Sequence, residues 1–312
     1  MMKAYHPHWI LFNTHLETIY PALLRRVDFN PSRELVIDTD DGDFLEADWY
    51  SSQNQSLVIL SHGLEGHARR PYMRGMARAL FNEGFDVLAW NFRSCSGKIN
   101  KSIRFYHSGA TYDLDSIVQY SIRELRYERI FLLGFSIGGN LTIKYLGENR
   151  KLEKEIISAM AVSVPMNLAE CCNCLEEGRN WLYQKKFLMD LKEKVRLKEK
   201  VFSLNTEGLE EIKTLREFDN RYTAPLHGFK DADDYYGKCS SGNFLNSVEK
   251  PLLILNSKND SFLSPACFPE KYDPNPLVEW VITERGGHVG FGNPGETTYY
   301  SEKLASDYFG RF

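Results

Sequence analysis

Three runs made wholly of apolar side chains set the strongest limit on this 312-residue chain. They are Leu57-Val58-Ile59-Leu60, Ile130-Phe131-Leu132-Leu133 and Leu252-Leu253-Ile254-Leu255. A strand with no polar side must be covered on both faces, which is the condition of a parallel sheet between two layers of helices. The intervening sequence supplies those layers. Pro71 opens a helical stretch with Met73, Met76, Ala77 and Leu80 on one face and Gly84 at its end, and Asp113 to Leu125 reads as another helix. Phe85–Phe92, Ile156–Val164 and Val278–Ile282 read as further strands, and 297–308 as a final helix. Glu34 to Tyr50 reads as a hairpin turning at Asp41-Gly42. The expected class is therefore α/β, with a mostly parallel central sheet and helices on both faces.

The alternation stops between about Met166 and Ser247, where the chain is helical, charged and rich in Lys and Glu. Within Lys185–Val201, Phe187, Leu188, Leu191 and Val195 form an apolar stripe, and basic residues outnumber acidic ones. This is the pattern of a solvated amphipathic helix. A sharper reading is a mobile cap making weak peripheral contact with anionic lipid.

Charge and composition narrow the function classes. With 38 basic and 42 acidic residues the net charge is −4, which argues against a nucleic-acid coat. A hydrophobic share of 43% supports a large core. No apolar run approaches the ~20 residues that span a bilayer. Met1 to Phe12 lacks the apolar centre of a signal peptide, so a soluble, cytoplasmic protein is expected. The six cysteines show no regular pairing and are expected reduced. Cys171-Cys172-Asn173-Cys174 lacks both a Cys-x-x-Cys pair and a nearby histidine cluster, so no metal is expected there. Oligomeric state has no marker.

The chemistry lies in Gly134-Phe135-Ser136-Ile137-Gly138, directly after one buried strand and before a helical stretch through Leu146. A strand-to-helix turn this tight strains the serine and leaves room only for small flanking residues. It also sets the hydroxyl at a helix N-terminus, which favours a developing anion. A serine needs a base, and the base an orienting acid. Asp260 follows the Leu252–Leu255 strand, and His288 follows Val278–Ile282 within Gly286-Gly287-His288-Val289-Gly290. Serine, acid and histidine appear in the order such a sheet uses. Ile137 N–H is one candidate oxyanion donor; Leu64 N–H, in Ser61-His62-Gly63-Leu64-Glu65-Gly66, is the other. His62 is expected to bond nearby backbone rather than move protons. Ser136 and its partners flank the helical excursion, so 1–312 is expected to be one domain with a cap inserted at about 166–247.

The chain resembles the YheT-like α/β-hydrolases over nearly its whole length. The resemblance rests on 13–21 (Asn-Thr-His-Leu-Glu-Thr-Ile-Tyr-Pro), 62–66 (His-Gly-Leu-Glu-Gly) and 106–109 (Tyr-His-Ser-Gly). It continues through 134–139, 223–229 (Thr-Ala-Pro-Leu-His-Gly-Phe) and 286–291. It implies an α/β-hydrolase fold and a carboxylesterase or lipase, with Ser136, Asp260 and His288 on the family's triad positions. Ser94 stands where the family usually has Gly. Asn259-Asp260-Ser261 replaces the two acidic residues and Pro often found there, leaving Asp260 as the one acid of that motif. Tyr106 matches without a derivable role, and His107 is expected to make a structural bond. The membrane anchor of eukaryotic relatives is not expected here. The expected activity is a carboxylesterase on small-molecule or lipid esters, with no cofactor. A lipase, thioesterase or amidase on the same triad, or a non-catalytic binder with this fold, stay as alternatives.

Overall fold

The computed structural model describes residues 4–312; Met1 to Lys3, the start of the segment read for a signal peptide, lie outside the described residues. The described residues form eight strands: β1 (Arg33–Asp38), β2 (Phe44–Tyr50), β3 (Ser56–Ser61), β4 (Asp86–Asn91), β5 (Arg129–Phe135), β6 (Ile156–Val162), β7 (Leu252–Ser257) and β8 (Val278–Thr283). They form one sheet in the order β1-β2-β4-β3-β5-β6-β7-β8. The hairpin strands β1 and β2 run antiparallel to their neighbours, and all other pairings are parallel.

Each apolar run splits its side chains between two cores, as a pleat of period two requires. Leu57, Ile59, Ile130, Leu132, Leu252 and Ile254 enter one core, and Val58, Leu60, Phe131, Leu133, Leu253 and Leu255 the other. Helices α1 (Thr14–Leu24), α2 (Pro71–Asn82), α3 (Thr111–Arg123) and α4 (Ile137–Gly147) come before β6. The first core is closed by α3 and α4. Met73, Met76 and Leu80 of α2 close the second, together with Leu304 and Tyr308 of the last helix. That last helix spans Tyr300–Phe309 and starts three residues later than the sequence pattern predicts, because Tyr299 and Glu302 cap it. The sequence reading did not find α1, whose only buried side chains are Glu17 and Pro21. With no apolar stripe, it had no periodic signal.

Between β6 and β7 the chain forms α5 (Leu168–Glu176), α6 (Trp181–Glu199), α7 (Leu215–Phe218), α8 (Ala224–Leu226) and α9 (Ala232–Cys239). Along α6, Leu188 and Val195 are buried as the stripe predicts, but so are two lysines. Lys194 Nζ donates to Glu65 Oε1 at 2.7 Å. Lys198 Nζ donates to Asn100 Oδ1 at 2.5 Å and Arg104 O at 3.1 Å. Burial pushes the Lys198 ammonium down to about 8. Lys186 pairs with Asp190 and Arg196 with Glu193. Much of the basic charge of α6 is thus turned inward or paired. No described helix is long and apolar enough to cross a membrane.

A buried arginine locks the hairpin to the helical layer. Arg93 Nη1 lies 2.7 Å from Asp41 Oδ2 and 3.0 Å from Asp43 Oδ2, and its Nη2 lies 2.6 Å from Asp113 Oδ1. Asp43 and Asp113 are both 1% exposed. The next residue, Ser94, adopts the left-handed φ of +61° that glycine takes most easily. Removing Arg93 strands two buried carboxylates, and breaking such a group typically costs about 3–5 kcal/mol. Arg93→Met should lower unfolding free energy by about that amount in chemical denaturation; a loss below about 1 kcal/mol would contradict this account of the hairpin's anchorage.

Candidate active site

The strand β5 ends at Phe135 and α4 begins at Ile137, so Ser136 alone makes the turn, with φ +53° and ψ −121°. Its N–H donates to Val162 O at 2.8 Å, and its carbonyl accepts from Asn140 N at 3.0 Å. The flanking glycines are required by contact. A Cβ on Gly134 would lie 2.1 Å from Gly138 O, and one on Gly138 would lie 2.4 Å from Ser61 O and 2.5 Å from His62 O. Backbone from three segments meets at this turn.

Strands β5, β7 and β8 run parallel, so the residues after their C-terminal ends gather on one edge of the sheet. Ser136 Oγ–H donates to His288 Nε2 at 2.9 Å. His288 Nδ1–H donates to Asp260 Oδ2 at 2.8 Å, and Asp260 Oδ1 accepts from Phe262 N at 2.9 Å. The carboxylate assigns the ring proton to Nδ1 and leaves the Nε2 lone pair facing the serine. Phe262 stacks on the imidazole with ring centres 4.2 Å apart. All three residues predicted from the sequence are brought together.

The loop after β3 lies against the serine: a Cβ on Gly63 would come within 3.3 Å of Ser136 Cβ. Gly63 N–H donates to Tyr72 OH at 3.0 Å. Leu64 N–H donates to no other described residue, and Ile137 N–H belongs to the first helical turn, where amides lack intrahelical partners. Among the described residues the His62 ring bonds only backbone. Its Nδ1–H donates to Gly63 O at 2.7 Å, and its Nε2 accepts from Phe92 N at 3.0 Å.

Tyr106, left without a role by the sequence, supports this loop. Its OH donates to Glu65 Oε1 at 2.6 Å and accepts from Glu65 N at 3.0 Å. Glu65 takes a φ of +50° and reaches Lys194 of α6, so the loop beside Ser136 is tied to the inserted helices. His107 Nδ1 accepts from Gly109 N at 3.1 Å and packs edge-on against His227; burial holds its pKa well below the ordinary value. A cavity of about 100 Å³ touches Leu64, Ser136, Ile137 and His288. Leu168 and Leu175 of α5 and Phe187 and Leu191 of α6 wall it with apolar surface.

The cysteines of the 171–174 run point to different neighbours. Cys171 Sγ lies 3.3 Å from Cys267 Sγ, while Cys172 Sγ accepts from Tyr236 OH at 3.3 Å.

A parallel sheet with a serine on a strand–helix turn and a histidine and acid after later strands defines an α/β-hydrolase. Esterase Pf2001 of Pyrococcus furiosus shares this fold with a TM-score of 0.62 and 22% identity, over 92% of this chain and 98% of that one. A family model described as "Serine aminopeptidase, S33" matches residues 52–273. YheT of Escherichia coli (strain K12) is 35% identical over 89% of this chain and 84% of its own length. Phospholipase ABHD3 of Homo sapiens is 30% identical over 86% of this chain and 69% of its own. The chain belongs to the YheT-like α/β-hydrolases.

The sequence reading assigned no role to Glu17, Thr18, Tyr106, Ser163 or Asn259, whose side chains bond the loops beside Ser136 and His288. The available signal for the first pair was the 13–21 segment, which carries the family resemblance and sets Glu17 between Leu16 and Ile19.

The buried histidine of the loop after β3 makes stability depend on pH. Burial pushes His62 down to about 3. Between pH 6.5 and 3 the unfolded chain binds a proton there that the folded chain refuses, so this contribution is present above pH 6.5 and is lost as pH falls. Moving from pH 7 to 5 should cost about 2 kcal/mol through this group alone. Denaturation of wild type and His62→Gln at both pH values should show the wild type losing more by about that amount. Equal losses would mean that His62 is protonated in the fold.

Proposed function

We propose that this protein hydrolyses carboxylic esters through an acyl-enzyme on Ser136. The observation that carries this reading is the unbroken relay from Ser136 Oγ through both nitrogens of His288 to the buried Asp260 carboxylate. Ser136 Oγ attacks the ester carbonyl as His288 Nε2 takes its proton. Asp260 stabilises the imidazolium that forms, and the amides of Leu64 and Ile137 receive the negative oxygen. Collapse expels the alcohol, which leaves with the proton from His288. Water then enters, gives a proton to the same nitrogen and attacks the acyl group. The carboxylic acid departs, and the proton returns to Ser136. Two donors fixed before the substrate arrives supply stabilisation that water would have to reorganise to match. No cofactor enters these steps.

The helices α5 to α9 serve as a cap whose apolar walls accept the acyl or alcohol part of a small-molecule or lipid ester. Names of relatives that include a phospholipase and a monoacylglycerol lipase favour an ester bond. The matched family model is described by a serine aminopeptidase, which keeps amide cleavage as the second reading. The triad does not itself choose the leaving group.

Ser136→Ala should lower turnover of a short p-nitrophenyl ester by about 10⁶-fold and abolish labelling by a fluorophosphonate. Full activity in that variant would end the proposal. Rates on ester, thioester and amide analogues of one acyl chain then separate the leaving-group classes, with the ester expected to be fastest.

A further inference from the structure

The loop bearing His288 holds a conformation that its own sequence disfavours. Gly287, Val289 and Phe291 take φ values of +59°, +57° and +45°. For a β-branched residue such as Val289 this is a true outlier, and it persists only where surroundings over-determine it. The surroundings do so amide by amide. Gly286 N donates to Glu17 Oε2 at 2.8 Å and Gly287 N to Asn259 Oδ1 at 3.1 Å. His288 N donates to Thr18 Oγ1 at 2.9 Å and Val289 N to Ser163 Oγ at 2.9 Å. Four consecutive N–H groups are thus held by four side chains, and two of these belong to α1.

Glu17 ties this loop to the neighbouring one. Its side chain is fully buried, and Oε2 also accepts from Asn259 Nδ2 at 2.9 Å. Asn259 precedes Asp260, so one carboxylate braces both the acid-bearing and the histidine-bearing loops. Arg285 Nη2 lies 2.5 Å from Oε1 as an ion pair, without the alignment of a hydrogen bond. The amide of Asn259 serves both neighbours, its Nδ2 donating to Glu17 and its Oδ1 accepting from Gly287 N. Thr18 is equally specific. Its hydroxyl proton goes to Thr14 O at 2.8 Å, which leaves the oxygen lone pairs free for His288 N–H. A Cβ on Gly287 would lie 2.7 Å from Thr18 Oγ1 and 2.9 Å from Glu17 Cβ, so α1 sits directly on the loop.

We propose that Glu17 and Thr18 of α1 are positioning residues for His288, fixing the imidazole between Ser136 and Asp260. This rests on the serine-hydrolase reading above. It predicts that small losses at α1 appear in the chemical step, because a displacement of about 1 Å in catalytic geometry costs on the order of 100-fold.

The test uses the full chain and two readouts, the second-order rate of fluorophosphonate labelling and steady-state hydrolysis of a p-nitrophenyl ester. Thr18→Val, nearly isosteric, removes the acceptor and Thr18→Ser retains it; Glu17→Met, close in size, removes both acceptor oxygens. Thr18→Val and Glu17→Met should each lower kcat and the labelling rate in parallel by about 10- to 100-fold, with KM within about twofold. Thr18→Ser should stay within about threefold of wild type. The Glu17→Met arm decides the matter if Thr18→Val does not fold, and the Thr18→Val arm if Glu17→Met does not. Wild-type kcat and labelling in a folded Thr18→Val or Glu17→Met would overturn the assignment, as would a Thr18→Ser as slow as Thr18→Val. A wild-type protein that no fluorophosphonate labels would instead refute the serine-hydrolase reading.

Discussion

Everything at this site is referred to the backbone contact under Ser136. Gly138 sits so close to the carbonyls of Ser61 and His62 that no side-chain atom fits between them. That approach presses the end of β3 onto the start of α4, which brings Gly63 beside the serine. The cost is a serine held at φ +53°, and strain of this kind is of the order of 1–3 kcal/mol. The two buried strands on either side, with their paired cores, are what keep the turn from relaxing.

Buried charge does for the loops what the apolar cores do for the sheet. Arg93 gathers three aspartates, Glu17 bridges two loops, and Lys194 ties Glu65 to the inserted helix. Burying such groups is expensive unless each finds partners, so their contribution to net stability is modest. Their effect is on geometry: an irregular loop with fixed donors and acceptors has one arrangement in which all are satisfied. Glu65 stands in the loop after β3 and Glu17 beside the histidine-bearing loop. The inserted helices meet the first and α1 meets the second, so peripheral elements complete the surroundings of the serine.

The fold was largely legible because its signals are local. Wholly apolar runs mark buried strands, and the glycines around Ser136 mark a turn that few other residues permit. Asp260 and His288 were legible for a related reason: parallel strands put their C-terminal ends on one edge, so position after a strand predicts position in space. The helix α1 was not legible, since its buried face consists of Glu17 and Pro21. The inward turn of Lys194 and Lys198 was hidden as well. Periodicity places them next to the stripe, but only the loops beneath α6 show that acceptors await them.

The sequence by itself therefore determined the α/β class, the strained serine turn and the chain order of acid and histidine, all of which follow from short-range backbone sterics and side-chain period. The tertiary structure alone decided which groups hold those residues still. Gly286 takes its acceptor from Glu17, 269 positions away, and no local pattern encodes a hydrogen bond between segments that meet only after the sheet has closed.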